Sequence, residues 1–399
     1  MLDETIGDRI KALRGHALTQ RQLADAAEVS IDVVRKLEQG QRHTAALDTL
    51  HRLARALGTD LPGLLGRPAE VPESPAADTL DTLRNALTSV DDLLDDLDAV
   101  ELPDLAEVQR SGTYVWGAFS GGRYDLVGET LPRWLSEIRA VQHAGTADER
   151  AVATDLAGQL AQIATGTLMQ LGAHDLAHAT AHQAIRDAQG GIDPFREVAL
   201  RHSLSHVLMR QGRQDDAMRL LRQSIQSVRS GGRTDAGEAV AGALMLRAAG
   251  AAARNKDHAG AADLIGEAGD VAARFNGHPI PHQSSYAMNF SAGQVAVIRT
   301  DIRVVARDFD EALQAARTMP RDNGLPLMSR LRHLADLAHS HAQLGQDDRA
   351  TDVLLALEAM APHLAPYQSL ARAVTRELLN RRPRKRLHEL AKRWEASPR

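Results

Sequence analysis

Leu18-Thr19-Gln20-Arg21-Gln22-Leu23-Ala24 opens a stretch that continues through Glu28-Val29-Ser30 to Gly40, and its reading decides the first part of the fold. Thr19 suits an N-cap, and Leu23, Ala24 and Ala27 give the following helix a small apolar face. Glu28-Val29-Ser30 makes a tight turn, with Ser30 placed to cap a second helix. Val33, Val34 and Leu37 turn that helix's apolar side inward, and Gly40 stands where a helix ends on a left-handed residue. Caps, turn and apolar positions agree at once, which an ordinary helical hairpin does not require. Such a pair presents its second helix outward, the geometry that inserts a helix into the major groove of DNA.

The pattern extends in both directions. Ile6, Ile10 and Leu13 precede it; Leu37-Glu38-Gln39-Gly40, Leu47-Asp48-Thr49-Leu50 and Leu53-Ala54-Arg55-Ala56-Leu57-Gly58 follow. On these residues the segment 1–66 resembles the phage-repressor/Cro class of helix-turn-helix domains, the xenobiotic-response-element family. The resemblance implies a five-helix, lambda-repressor-like domain with Ser30 to Gln39 as recognition helix. It implies base contacts from Ile31, Asp32, Arg35 and Lys36. Arg35 or Lys36 would reach guanine O6 and N7, and Ile31 a thymine methyl. Two roles stand open for Asp32: accepting from a cytosine amino group, or pairing with Arg35 or Lys36 on its own helix face. Gln20 and Ser30 would hold phosphate oxygens, and Arg42 would add charge; such contacts position without reading sequence.

Residues 1–66 carry nine basic and nine acidic residues, so the local patch of Arg35, Lys36 and Arg42 matters more than the domain's net charge. Non-specific affinity is expected to be modest and salt-dependent. One such domain reads half a site, so a homodimer on a two-fold, double-stranded operator is expected.

The whole chain of 399 residues has room for two or three domains. No run approaches membrane-spanning length, and Asp3, Glu4, Asp8 and Arg9 interrupt any signal-peptide core. There are no cysteines. A cytoplasmic protein without a membrane partner is expected. The net charge of −5 is uneven: residues 69–110 hold twelve acids against two bases, and residues 372–399 ten bases against three acids. The two ends either attract each other or form solvated helix faces.

Three prolines fall in the eight residues from Pro68 to Pro75, and an extended linker is predicted over 67–78. Leu80, Leu83, Leu87, Val90, Leu94 and Leu97 then predict one amphipathic helix over 79–101, acidic on its outer face at Asp91, Asp92, Asp95, Asp96 and Asp98. It would pair with its twin in a dimer or cap the domain that follows.

Residues 102–380 read as helix pairs. Leu171-Gly172-Ala173, Gln211-Gly212-Arg213, Asn255-Lys256-Asp257, Arg299-Thr300-Asp301 and Leu344-Gly345-Gln346 each occupy a predicted turn, with an earlier one at Gly121-Gly122-Arg123-Tyr124. A small residue follows each of the five: Ala177, Ala217, Ala261, Val305 and Ala350, at steps of 40, 44, 44 and 45 residues. A period of this size means an α-solenoid, and small residues there let paired helices approach. A basic C-terminal helix is predicted over 381–399, with Leu387, Leu390, Ala391 and Trp394 packing on the repeats.

The repeats resemble tetratricopeptide repeats, Gln211-Gly212-Arg213-Gln214-Asp215-Asp216-Ala217 most nearly, although the signature aromatics are mostly missing. The expected fold class is therefore all-α: a helix-turn-helix head and a tetratricopeptide-like solenoid. Head plus body looks like the peptide-sensing quorum regulators of Gram-positive bacteria, and also like actinobacterial regulators. The stretches Asn289 to Val297 and Leu334 to Gly345 look most like the second group.

Counting back from each turn predicts the inward side chains: Trp116; Gln159, Gln162, Met169 and Gln170; His202, His206, Met209 and Arg210; Leu246 and Arg254; Phe290, Gln294 and Ile298; Arg332, His339 and Gln343. Amides, histidines and arginines among a few apolar groups suit an extended peptide or a polar small molecule. Asn289 would clamp a peptide backbone, as inward asparagines do in the peptide-sensing group. The other reading of this lining is a wet channel with no ligand.

His174, His178 and His182, and His202 with His206, repeat at the four-residue step that zinc ligands use. Seventeen histidines make chance pairs expected, and neither a metal nor another cofactor is predicted. Walker, GxSxG and HExxH motifs are absent, so no enzyme is predicted. The expected function is a sequence-specific DNA-binding transcription regulator whose repeats sense a peptide or small molecule and dimerise. The alternatives are a module that docks a partner protein, with DNA placing it, and an unregulated repressor whose repeats only dimerise.

Overall fold

The computed structural model describes residues 6–15, 18–27, 29–41, 45, 47–57, 75–90, 102–232, 234–275, 290–320, 325–362, 364–381 and 385–395. Among them every regular element is helical. They divide into two units, Met1–Ser74 and Pro75–Arg399.

The first unit holds α1 (Ile6–Arg14), α2 (Gln20–Ala26), α3 (Ile31–Glu38) and α4 (Leu47–Ala56). Thr19 caps α2 in a capping box: its hydroxyl accepts from the Gln22 N–H at 3.2 Å, and its own N–H donates to Gln22 Oε1 at 2.8 Å. Ser30 holds the N-cap position of α3 in extended conformation, with no side-chain cap bond. Gly40 ends the turn after α3 at φ +69°. Ile10, Leu23, Ala24, Ala27, Val34, Leu37, Leu50, Leu53 and Ala54 form one apolar core. α1 crosses α3 so closely that a Cβ on Gly7 would overlap the Leu37 carbonyl. The fifth helix implied by the resemblance lies outside the described residues.

The second unit begins with α5 (Pro75–Leu87). This corrects two expectations. The helix starts inside the stretch read as linker, since proline is favourable in a helix's first turn. It also stops by Thr88, and Val90 beyond it is exposed; the acidic positions 91–101 lie outside the described residues. Leu83 is fully buried, and α5 packs on the helix Tyr124–Ala144.

Seven helix pairs follow. The first helices of the pairs are α6 (Leu105–Ser120), α8 (Ala147–Gln170), α10 (Arg196–Arg210), α12 (Asp235–Arg254), α14 (Ala292–Val305), α16 (Leu327–Gln343) and α18 (Ser369–Arg381). The second helices are α7 (Tyr124–Ala144), α9 (His174–Asp187), α11 (Gln214–Ser230), α13 (His258–Arg274), α15 (Phe309–Ala316), α17 (Asp347–Met360) and α19 (Lys385–Glu395). Each first helix touches the next first helix as well as its own partner. These first helices form the inner layer of a helical solenoid. On α19, Leu387, Leu390 and Trp394 are buried, while Arg386 and Arg393 pair with Asp352 and Glu358 of α17.

Six turns within pairs share one geometry. The middle residue is left-handed: Gly122, Gly172, Gly212, Lys256, Arg307 and Gly345, at φ between 62° and 82°. The next N–H bonds back to a carbonyl of the first helix, as in Ala173 to Leu168 at 2.8 Å and Asp308 to Arg303 at 2.9 Å.

The fifth turn is a further correction. It lies at Ala306-Arg307-Asp308, not at 299–301, where α14 runs on unbroken. The small residue five places past its centre is Ala312, buried like Ala177, Ala217, Ala261 and Ala350, and Val305 loses that role. The true turn carries no glycine, as the one at Asn255-Lys256-Asp257 does not.

Candidate functional site

On α3 the apolar side is spent on the head's core. Asp32, Arg35 and Lys36 stand exposed, and Ile31 is half-buried against the core. Asp32 Oδ1 lies 3.6 Å from Arg35 Nη1, so the structure contains the pairing alternative for Asp32. Exposed pairs of this kind contribute about 0–1 kcal/mol, which leaves Arg35 free to exchange partners.

Gln20 has another task besides any phosphate contact. Its amide donates to Glu38 Oε2 at 2.7 Å, while Arg14 Nε donates to Glu38 Oε1 at 2.8 Å. One buried carboxylate thus ties α1, α2 and α3 together. Burial alone would push the Glu38 carboxyl up; the bonds from Arg14 and Gln20 hold it below its usual value. Ser30 is exposed at the start of α3, and Arg42 lies outside the described residues.

The inner layer of the repeats holds a second constellation, on four consecutive first helices. Asp301 of α14 is buried and accepts from Arg254 of α12 through both oxygens, each at 2.9 Å, and from Arg332 of α16 at 2.8 Å. Arg247, two turns before Arg254, donates through Nε to His202 Nε2 of α10 at 3.3 Å. His206 and Arg210 continue the same face of α10, half-buried and exposed respectively. Asp336 is buried one turn past Arg332, and its Oδ2 has no hydrogen-bond partner.

The charges act strongly on one another. Burial opposes ionisation of Asp301, yet Arg332 and Arg254 hold its carboxyl far below the usual range. Burial, reinforced by Asp301, pushes the Asp336 carboxyl up to about 7. Burial, then the cations Arg332 and Arg254, bring the Arg247 guanidinium down to about 9. His202 and His206 sit well below the ordinary histidine value, through burial first and Arg247 next, and are neutral at pH 7.

Of the lining predicted from sequence, the structure gathers His202, His206, Arg210, Arg254 and Arg332. Two members are corrected. Gln162 is buried between α8 and α10, accepting from Arg196 at 2.9 Å and reaching Ser203 at 3.4 Å, so its amide braces two helices. Phe290 is buried over Gly242, where a Cβ would collide with its ring, and belongs to the core. Gln294 bonds Ser329 of the next first helix at 2.9 Å. His339 stands edge-on to Phe309 at 5.4 Å. Trp116 is half-buried against Phe119, their rings 5.4 Å apart, away from this cluster on α6. Asn289 lies outside the described residues.

Sequence reasoning missed Arg247, Asp301 and Asp336. The seven-residue step from Arg247 to Arg254, two turns on one face of an alanine-rich helix, was the available signal. Among the described residues no three His, Asp or Glu side chains gather as metal ligands; His178 and His182 stack at 5.9 Å, and His178 Nε2 lies 3.5 Å from Arg213 Nη1. No helix among them is long and apolar enough to cross a membrane. A separate hollow of about 250 Å³ lies between α11 and the turn after α12, and there Asn255 bonds Asp215 at 2.7 Å.

Comparison with known proteins agrees with the head. Residues 5–64 match the family described as a helix-turn-helix domain. Among solved structures, the chain is similar to Bacillus thuringiensis PlcR, crystallised in complex with the peptide PapR7 and DNA. That likeness has 12% identity and a TM-score of 0.38, and covers 78% of this chain and 94% of that one. No curated protein matches the chain.

Proposed function

We propose that this chain is a transcription regulator that binds operator DNA through α3 as a homodimer and senses a peptide or small molecule along the inner layer of its repeats. One observation carries the reading. The helix-turn-helix head keeps Val34 and Leu37 of α3 in its core and leaves Asp32, Arg35 and Lys36 in solvent. A helix held in that way fits the major groove, where guanidinium and ammonium groups meet guanine O6 and N7. The sensing half is supported by the polar inner layer, to which α10 contributes His206 and Arg210, α12 Arg247 and α16 Arg332. A ligand bridging those helices would favour one curvature of the solenoid over others.

The test is selection of DNA from the native genome by the purified full-length chain. The expected result is a set of fragments sharing a two-fold motif, with affinity that falls steeply as salt rises. Failure to retain any duplex at low ionic strength would overturn the reading. The sensing half predicts that cell extract changes operator affinity; a response to no extract removes it.

A further inference from the structure

We propose that the inner layer between α10 and α16 is a binding site for an oxyanion, a carboxylate or phosphate group on the effector, held by Arg210 and Arg247 with His206 beside them. The proposal rests on the sensor reading above and names the chemistry of its ligand.

The argument begins with a charge imbalance. Four guanidinium groups, Arg210, Arg247, Arg254 and Arg332, share one face with two carboxylates. Asp301 is fully engaged by Arg254 and Arg332. Asp336 makes no ion pair among the described residues, and its unpartnered oxygen is buried. Arg210 and Arg247 have no carboxylate within 4 Å there; Arg247 spends only its Nε, on a neutral histidine.

Assembling like charges where water is partly excluded is unfavourable, and a bound anion relieves it. Burial first, and then the cations Arg332 and Arg254, lower the affinity of Arg247 for its proton. The remaining donors set the ligand class. Two guanidinium forks from adjacent helices match the paired oxygens of a carboxylate or phosphate, and the planar fork holds them bidentately. An uncharged or cationic ligand leaves the same arginines uncompensated. Arg332 is shared: an oxyanion drawing on it competes directly with Asp301.

Calorimetric titration of the full-length chain with inorganic pyrophosphate and with citrate, against chloride at matched ionic strength, separates phosphate from carboxylate chemistry. The expected result is saturable, one-to-one binding of at least one of them. Arg210→Gln and Arg247→Gln should each weaken it at least tenfold. Arg210 is exposed and holds no side-chain partner, so its variant keeps the native helix content. The Arg35→Ala, Lys36→Ala double variant should bind the anion like the parent, since the head is not the site. No saturable binding of either anion, unchanged affinity in Arg210→Gln, or loss in the head variant would each overturn the proposal. Anion binding that leaves operator affinity unchanged would keep this site and refute its role in sensing. An extract response that survives Arg210→Gln, without anion binding, would do the reverse.

Discussion

Asp32 and Arg35 lie 3.6 Å apart on the open face of α3, a pair weak enough to part when a base edge offers better geometry. Arg35→Ala should cost about 1–3 kcal/mol of specific operator affinity, measured by gel shift against an unrelated duplex. Equal affinity would move the reading face elsewhere. Asp336 makes a second residue-scale prediction. Its carboxyl is pushed up to about 7 from 3.8, facing Asp301 of α14, Arg254 of α12 and Arg332 of its own helix. The native state therefore keeps a proton that the unfolded chain releases. Stability from this group falls as pH rises through that window and levels off above it. The buried histidines act oppositely, losing stability as pH falls below their ordinary 6.5, so the variant must be compared with the parent at each pH. Asp336→Asn should gain on the parent by on the order of 2 kcal/mol between pH 5 and pH 8 in denaturant melts. Parallel curves would mean that Asp336 titrates normally.

Helices and their junctions carry a different kind of energy. Arg307 and Lys256 hold left-handed backbone at φ 62° and 64° where four sister turns use glycine. Arg307→Gly should raise stability by roughly 0.5–1 kcal/mol, relief of strain exceeding the added freedom of the unfolded chain. In the head, Gly7→Ala drives a methyl group into the Leu37 carbonyl. It should destabilise that unit by about 1–3 kcal/mol and reduce operator binding with it; an unchanged melting curve would show that α1 shifts freely. This is also the scale at which the sequence was readable. Turns marked by glycine at 172, 212 and 345 were found, and Thr19 and Gly40 bounded the helices they were expected to bound. The turn at Arg307 was not: like the one at Lys256 it carries no glycine, and Arg299-Thr300-Asp301, nearer the 44-residue step, was read in its place. Placing it seven residues early mattered little for Gln294 and Ile298, since seven residues is nearly two full helical turns and a face drifts only about 20° over them. It mattered for Asp301, read as a turn residue and found buried between two arginines, Arg254 and Arg332. Gln162 was misassigned for another reason, since periodicity gives the face of a helix and not whether the next helix covers it; Phe290 stands before α14 begins and packs on Gly242 of α12.

Across the repeat unit, buried side chains fall into three main successive apolar blocks. One spans α5 to α10, one α10 to α14, and one α16 to α19. The last two do not merge. Between them lies α15, whose buried Ala312 and Ala315 belong to neither. Across that seam α14 and α16 are joined by polar bonds, Gln294 to Ser329 and Asp301 to Arg332. Amides of α15 should therefore exchange with solvent deuterium faster than those of α12 or α17, read by mass spectrometry. Uniform protection would show that the seam is as firm as the blocks beside it. The shared arginine gives the seam its consequence. An anion that draws Arg332 away from Asp301 unfastens one of the few clasps between the two blocks, so the same event that fills the site slackens the articulation beside it.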